Sequence, residues 1–195
     1  MKWPRLILWA PILLLLLFQN AIRAQSPAEP IKAKQRMLSY QIQPDGSRIL
    51  KQERAGVFYR SSSGATMNTV GDRATFFDEQ GNTYEIAHSK KFAKLVVRSP
   101  ELLHERIKKT PPESIQGYEM VNGLHCAIRT VLVNGKPGGK EYSYLPYGLI
   151  VKVEWTEPGG SHLMVRELYD IEVAEPDQAL VRIPEGYSID NQPGQ

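Results

Sequence analysis

From Arg36 onward, apolar and polar residues alternate in short segments, and turn residues interrupt them roughly every ten positions. Leu38, Tyr40 and Ile42 alternate with Ser39, Gln41 and Gln43, and Leu149, Val151, Val153 and Trp155 alternate with Lys152 and Glu154. A period of two places each apolar set on one face of a strand and leaves the other face wet. Similar patterns predict strands over 57–60, 74–77, 83–88, 92–97, 115–121, 124–133 and 163–173, about ten in all. Between them lie turn signals at Asp45-Gly46, Ser63-Gly64, Gln80-Gly81-Asn82, Asn122-Gly123, Asn134-Gly135 with Gly138-Gly139, and Pro158-Gly159-Gly160. Asn-Gly supplies the positive φ angles of a tight hairpin. The runs over 124–133 and 163–173 are longer than an average strand of about five or six residues. Long strands joined by tight hairpins predict a curved sheet rather than a compact sandwich.

One segment breaks this pattern. Ser99, Pro100 and Glu101 read as N-cap, first-turn proline and first-turn acid of a short helix that ends in Lys108 and Lys109. Thr110-Pro111-Pro112 stops it. Leu102, Leu103 and Ile107 share a face of that helix, which is stable only if the face packs on the sheet. The expected fold is mainly β: a single curved antiparallel sheet, a half-barrel of about ten strands, with one short helix.

The N-terminus follows a different rule. Lys2 and Arg5 precede an unbroken apolar run from Leu6 to Phe18, followed by a polar and small-residue exit through Ala24. This is the layout of a secretory signal peptide, here a signal helix over 1–24, with cleavage after Ala24 or, as second choice, Ala28. An uncleaved membrane anchor is the alternative. It is disfavoured because a spanning helix needs about 20 apolar residues and this run is shorter and contains Pro11. Residues 25–35 read as a disordered lead-in, 36–189 as one half-barrel domain and 190–195 as a flexible tail. Periplasmic or secreted localisation follows, and with no Cys at the cleavage site there is no signal for lipid attachment.

Composition sharpens this reading. The chain has 195 residues, 42% of them hydrophobic, enough for one ordinary core. Its formal charge of +3 disappears on export, because residues 1–24 carry Lys2, Arg5 and Arg23 and no acid. Of 24 basic residues, 21 remain, against 21 acidic ones. Phosphate-backbone binding needs clustered, uncompensated Lys and Arg, so nucleic acid is not an expected partner. Lys90, Lys91, Lys94 and Arg98 form a local basic cluster. It reads first as solvated surface and, as the sharper alternative, as a docking face. Cys126 is the single cysteine; it lies in an apolar run and is expected to be buried rather than bridged.

Candidate chemistry is sparse. His88, His104, His125 and His162 never fall at metal-ligand spacing, so no metal and no cofactor are expected. Ser161-His162 follows a glycine pair without a nucleophile elbow, and Glu167 and Asp170 fall on opposite strand faces. Without convergent polar groups the chain is not expected to be an enzyme. Its aromatics are spread along the strands, and a sheet of this length has concave surface to cover or to fill.

Three stretches carry a family resemblance: Gly117 through Cys126 (GYEMVNGLHC), Tyr147 through Trp155 (YGLIVKVEW), and Leu168 through Asp177 (LYDIEVAEPD) followed by Ile183-Pro184-Glu185-Gly186-Tyr187. With the meander and short helix that surround them, they resemble the LolA/LolB-like half-barrel superfamily, including its uncharacterised bacterial secreted members, over about residues 36–189. In that superfamily an incomplete barrel and a helical lid enclose a cavity for acyl chains, as in outer-membrane lipoprotein sorting, and some relatives serve as stress-sensing binding modules. The resemblance implies an exported protein that binds a hydrophobic ligand, a lipid or a lipoprotein, with membrane contact only during export. The alternative is an envelope protein-protein interaction module without a bound lipid. The residues expected at the ligand are Leu102, Leu103 and Ile107 on the lid helix, and Trp155 on the sheet.

Overall fold

The computed structural model describes residues 27–99, 101–133, 135–157 and 159–192. The expected export signal lies outside these residues. Among the described residues, no helix is long and apolar enough to cross a membrane.

The chain first runs outward through β1 (Ile31–Ile42), β2 (Arg48–Arg60), β3 (Thr66–Val70), β4 (Arg73–Phe77), β5 (Asn82–Ala87) and β6 (Phe92–Arg98). After helix α1 (Leu103–Lys108) it returns through β7 (Gly117–Val121), β8 (Leu124–Val133), β9 (Lys136–Tyr144), β10 (Leu149–Thr156) and β11 (His162–Val173), and ends in β12 (Ser188–Asp190). The spatial order is β12-β6-β5-β4-β3-β2-β1-β11-β10-β9-β8-β7. Two antiparallel meanders are therefore joined edge to edge where β1 pairs with β11. The terminal strands β12 and β7 do not meet, and the barrel stays open.

The twelve strands among the described residues exceed the ten expected, and the sheet is mixed, because β12 runs parallel to β6. The sheet also begins at Ile31, ahead of the expected Arg36, with Ala28 and Ile31 buried. Gly138-Gly139 makes no turn and lies within β9. Gly139 pairs with Trp155 and Val131, and a Cβ there would overlap the Glu154 carbonyl oxygen. Close approach of two backbones, rather than a turn, requires this glycine. Asn122-Gly123 does turn the chain: φ values of 48° and 81° close a two-residue hairpin between paired Val121 and Leu124.

The largest cluster of buried side chains gathers Ile31, Phe58, Cys126, Tyr142, Leu149 and Leu168. A second is formed by Met67, Phe76, Ile86, Ala93 and Val181, with Ile183 and Tyr187 against it. The C-terminal segment thus covers one face of β3–β6. Asp177 starts it by accepting the Ala179 N–H (2.8 Å), which caps a short 3-10 turn over Gln178–Val181. Helix α1 begins at Leu103, not at the expected first turn, and Leu102 is its N-cap residue. Ser99 instead closes the preceding bend by accepting the Glu101 N–H. The helix packs on β10 and the Leu145–Tyr147 turn. Nearby, buried Arg60 donates to the carbonyls of Glu29 (2.9 Å) and Gly148 (3.0 Å). Burial pushes its pKa down to about 10, with Glu29 opposing the shift, so it stays charged at neutral pH.

Candidate functional site

A pocket of about 390 Å³ draws its lining from β1, β3, β4, β5, β6 and β11. In a flat sheet, β6 and β11 would stand roughly 29 Å apart, six steps of about 4.8 Å. Lys94 on β6 and Arg166 on β11 nevertheless line the same small volume. The sheet is curled around the pocket, which occupies its concave face.

Strand alternation selects the walls. Met37, Val70, Ala87 and Phe92 are half-buried and supply the apolar surface. Beneath them, Gln35 is wholly buried and its Nε2 donates to Asn68 Oδ1 and to the carbonyls of Thr69 (2.7 Å) and Val57 (3.2 Å). This bracket fixes Asn68, another lining residue, and it fits because position 56 is glycine. A Cβ on Gly56 would meet Thr69 O and the Gln35 side chain.

Charge in the pocket is one-sided. Arg73 and Lys90 are exposed at its rim, Lys94 and Arg166 are half-buried inside it, and Glu85 is the acid among its lining residues. Burial lowers the pKa of Arg166, and Glu141 partly offsets this. Glu141 is itself bound to Arg129 and accepts from Ser143 Oγ (2.6 Å). Among the described residues no group of His, Cys, Asp and Glu is placed to hold a metal ion. The arrangement can take an apolar body and hold a polar end.

The expected ligand residues do not converge on this pocket. Leu102 and Ile107 are each 2% exposed and packed into protein, and Leu103 is half-buried. His104 takes the remaining inward position of α1. Trp155 lines a second, more open depression of about 550 Å³ with Pro137, Lys140 and Leu163. Sequence reasoning missed Met37 and Arg166, which reach the pocket only through long-range pairing, and Arg73, which sits beside Val70 and Ala87 in the local β3–β5 meander. A signal did exist for Lys90 and Lys94, in the basic cluster whose docking reading was the sharper of two. Strand alternation also places Phe92 and Lys94 on one face of β6.

No protein-family model matches the chain, and no curated protein does. Solved structures do. An uncharacterized conserved protein from Thermus thermophilus aligns with 94% of this chain and 99% of its own, at 11% identity and a TM-score of 0.50. Structures of the LolA superfamily are also among the matches. One from Nitrosomonas europaea aligns over 86% of this chain and 97% of its own, at 8% identity and a TM-score of 0.38. The Pseudomonas aeruginosa MucA/MucB complex contributes a match over 77% of this chain and 55% of that one, at 13% identity and a TM-score of 0.36. At these identities the likeness concerns the fold alone, and of the three the Thermus structure reaches the higher score.

Proposed function

We propose that this chain is an exported, periplasmic binding protein without enzymatic activity, which holds a hydrophobic or lipid-linked ligand in the concave face of its half-barrel. The observation that carries this reading is the 390 Å³ pocket with Met37, Val70, Ala87 and Phe92 on its walls. Its volume lies within the range of about 300–1,000 Å³ typical of small-molecule sites. Each Å² of apolar ligand surface covered there contributes about 25 cal/mol. A titration with the neutral apolar dye N-phenyl-1-naphthylamine tests it. Saturable fluorescence enhancement that is displaced by long-chain compounds is expected, and a linear, non-saturating response would overturn the reading.

A second reading, an envelope protein-protein interaction module, is favoured by the outer strand β7. Tyr118 and Met120 are exposed there, beside an unpaired strand edge, the template on which an extended segment of another protein adds a strand. Cross-linking in the envelope through a photoreactive residue at position 120 tests it; a defined adduct is expected, and a ladder of unrelated products would contradict it.

A further inference from the structure

Four cations sit around the pocket: Arg73, Lys90, Lys94 and Arg166. Among the described residues, none of them forms a salt bridge with a carboxylate. Glu85, paired across the strands with Lys94, balances one of these charges, and Glu141 is already committed to Arg129 and Ser143. Residues 25–195 carry equal numbers of acids and bases, so this local excess is not a reflection of their overall composition. Holding Lys94 and Arg166 half-buried with no salt bridge, Glu85 and Glu141 compensating them only in part, costs desolvation energy that a bound anion would offset.

Apolar walls and cations also share one small volume. A multi-chain lipid needs more room than 390 Å³, which is near the lower end for ligand sites. A polar anion alone would leave Met37, Val70 and Phe92 uncovered. Resting on the binding function proposed above, we infer that the ligand is a single-chain anionic amphiphile. Its alkyl chain lies against Met37, Val70, Ala87 and Phe92, and its carboxylate or phosphate head is met by Lys94 and Arg166, with Arg73 and Lys90 at the mouth. Charge-assisted contacts of this kind discriminate by about tenfold or more over a neutral head.

Displacement of bound N-phenyl-1-naphthylamine by four compounds of equal chain length tests this: palmitate, hexadecyl phosphate, hexadecanol and hexadecyltrimethylammonium, each below its critical micelle concentration. The two anions are expected to bind about tenfold more tightly than hexadecanol, and the cation more weakly than the alcohol. The ranking of palmitate against hexadecyl phosphate identifies the head group. K94Q is expected to remove most of the preference for anions, read within that variant as the ratio of palmitate to hexadecanol affinity. R73Q, at the exposed rim and clear of the core, is expected to reduce it in part and to flatten its salt dependence. Equal displacement by all four compounds would overturn the anionic assignment and leave hydrophobic binding standing. Displacement by none of them, with the dye bound, would overturn both the assignment and the proposed single-chain ligand, and absence of saturable dye binding would overturn the function on which they rest.

Discussion

The Tyr187 hydroxyl lies 2.9 Å from Nδ1 of His88, joining the C-terminal segment to the hairpin between β5 and β6. The two rings meet edge to face, 6.0 Å between centroids. That hairpin carries Lys90 and leads into Phe92, so the contact braces one wall of the pocket from behind. Tyr187→Phe removes the hydrogen bond and keeps the ring, and about 1 kcal/mol of stability is the expected loss. Urea denaturation measures it, and hydrogen exchange is expected to accelerate first in β12 and the end of β5.

Gly139→Ala is expected to destabilise by about 1–3 kcal/mol, as overpacked sites do. The added methyl has nowhere to go, because the Glu154 carbonyl and Trp155 Cα occupy its place. Gly138→Ala, one position away in the same strand, is the control. A shift in urea midpoint confined to the Gly139 variant supports the close approach of β9 and β10.

Glu167 joins two parts of the sheet. It accepts from Arg36 Nε (3.0 Å) and Nη2 (2.8 Å) across β1–β11, and from Asn122 Nδ2 (3.0 Å) in the β7–β8 turn. Asn122 also donates to the Leu168 carbonyl (2.7 Å). Asn122→Gly keeps the positive φ available and deletes both donors, so the loss isolates the side-chain contacts. About 1–2 kcal/mol is expected, measured by thermal denaturation at low and high salt.

Cys126 is 0% exposed, and burial, reinforced by Glu119, pushes its thiol up to about 11 from an ordinary 9.0. The native thiol is therefore expected to resist alkylation by iodoacetamide at pH 8 and to react on unfolding. Between about pH 9 and 11 the unfolded chain releases this proton while the folded chain keeps it. The unfolded state binds fewer protons there, so stability falls as pH rises through that window. Cys126→Ala is expected to remove this contribution to the pH slope.

Much of the architecture is legible in the sequence because strand periodicity is a local property. The alternation at 149–155, the Asn122-Gly123 hairpin and the long runs at 124–133 and 163–173 all reappear in β10, the β7–β8 turn, β8 and β11. Legibility fails first where a glycine has two meanings: Gly138-Gly139 reads as a turn and instead serves close strand packing. A three-residue strand such as β12 leaves too few positions for any period, and its pairing with β6 depends on the whole C-terminal segment having folded back.

The pocket is less legible for a related reason. Arg166 and Met37 face each other across β1 and β11 but are far apart in sequence, and their meeting with Lys94 depends on the curvature of the whole sheet. The helix also gives a local signal, yet Leu102 and Ile107 are buried in protein where α1 packs on β10 and the Leu145–Tyr147 turn. An amphipathic face predicts burial without naming what it is buried against.

The most direct test is to purify the protein from the cell envelope, extract it with organic solvent, and weigh the co-purified compounds by mass spectrometry alongside an Ala87→Trp variant whose indole fills the pocket. The expected result is an alkyl-bearing compound near one equivalent per chain in the native protein and strongly depleted in a folded variant. Equal amounts in both proteins, or none in the native one, would contradict ligand binding in the concave pocket.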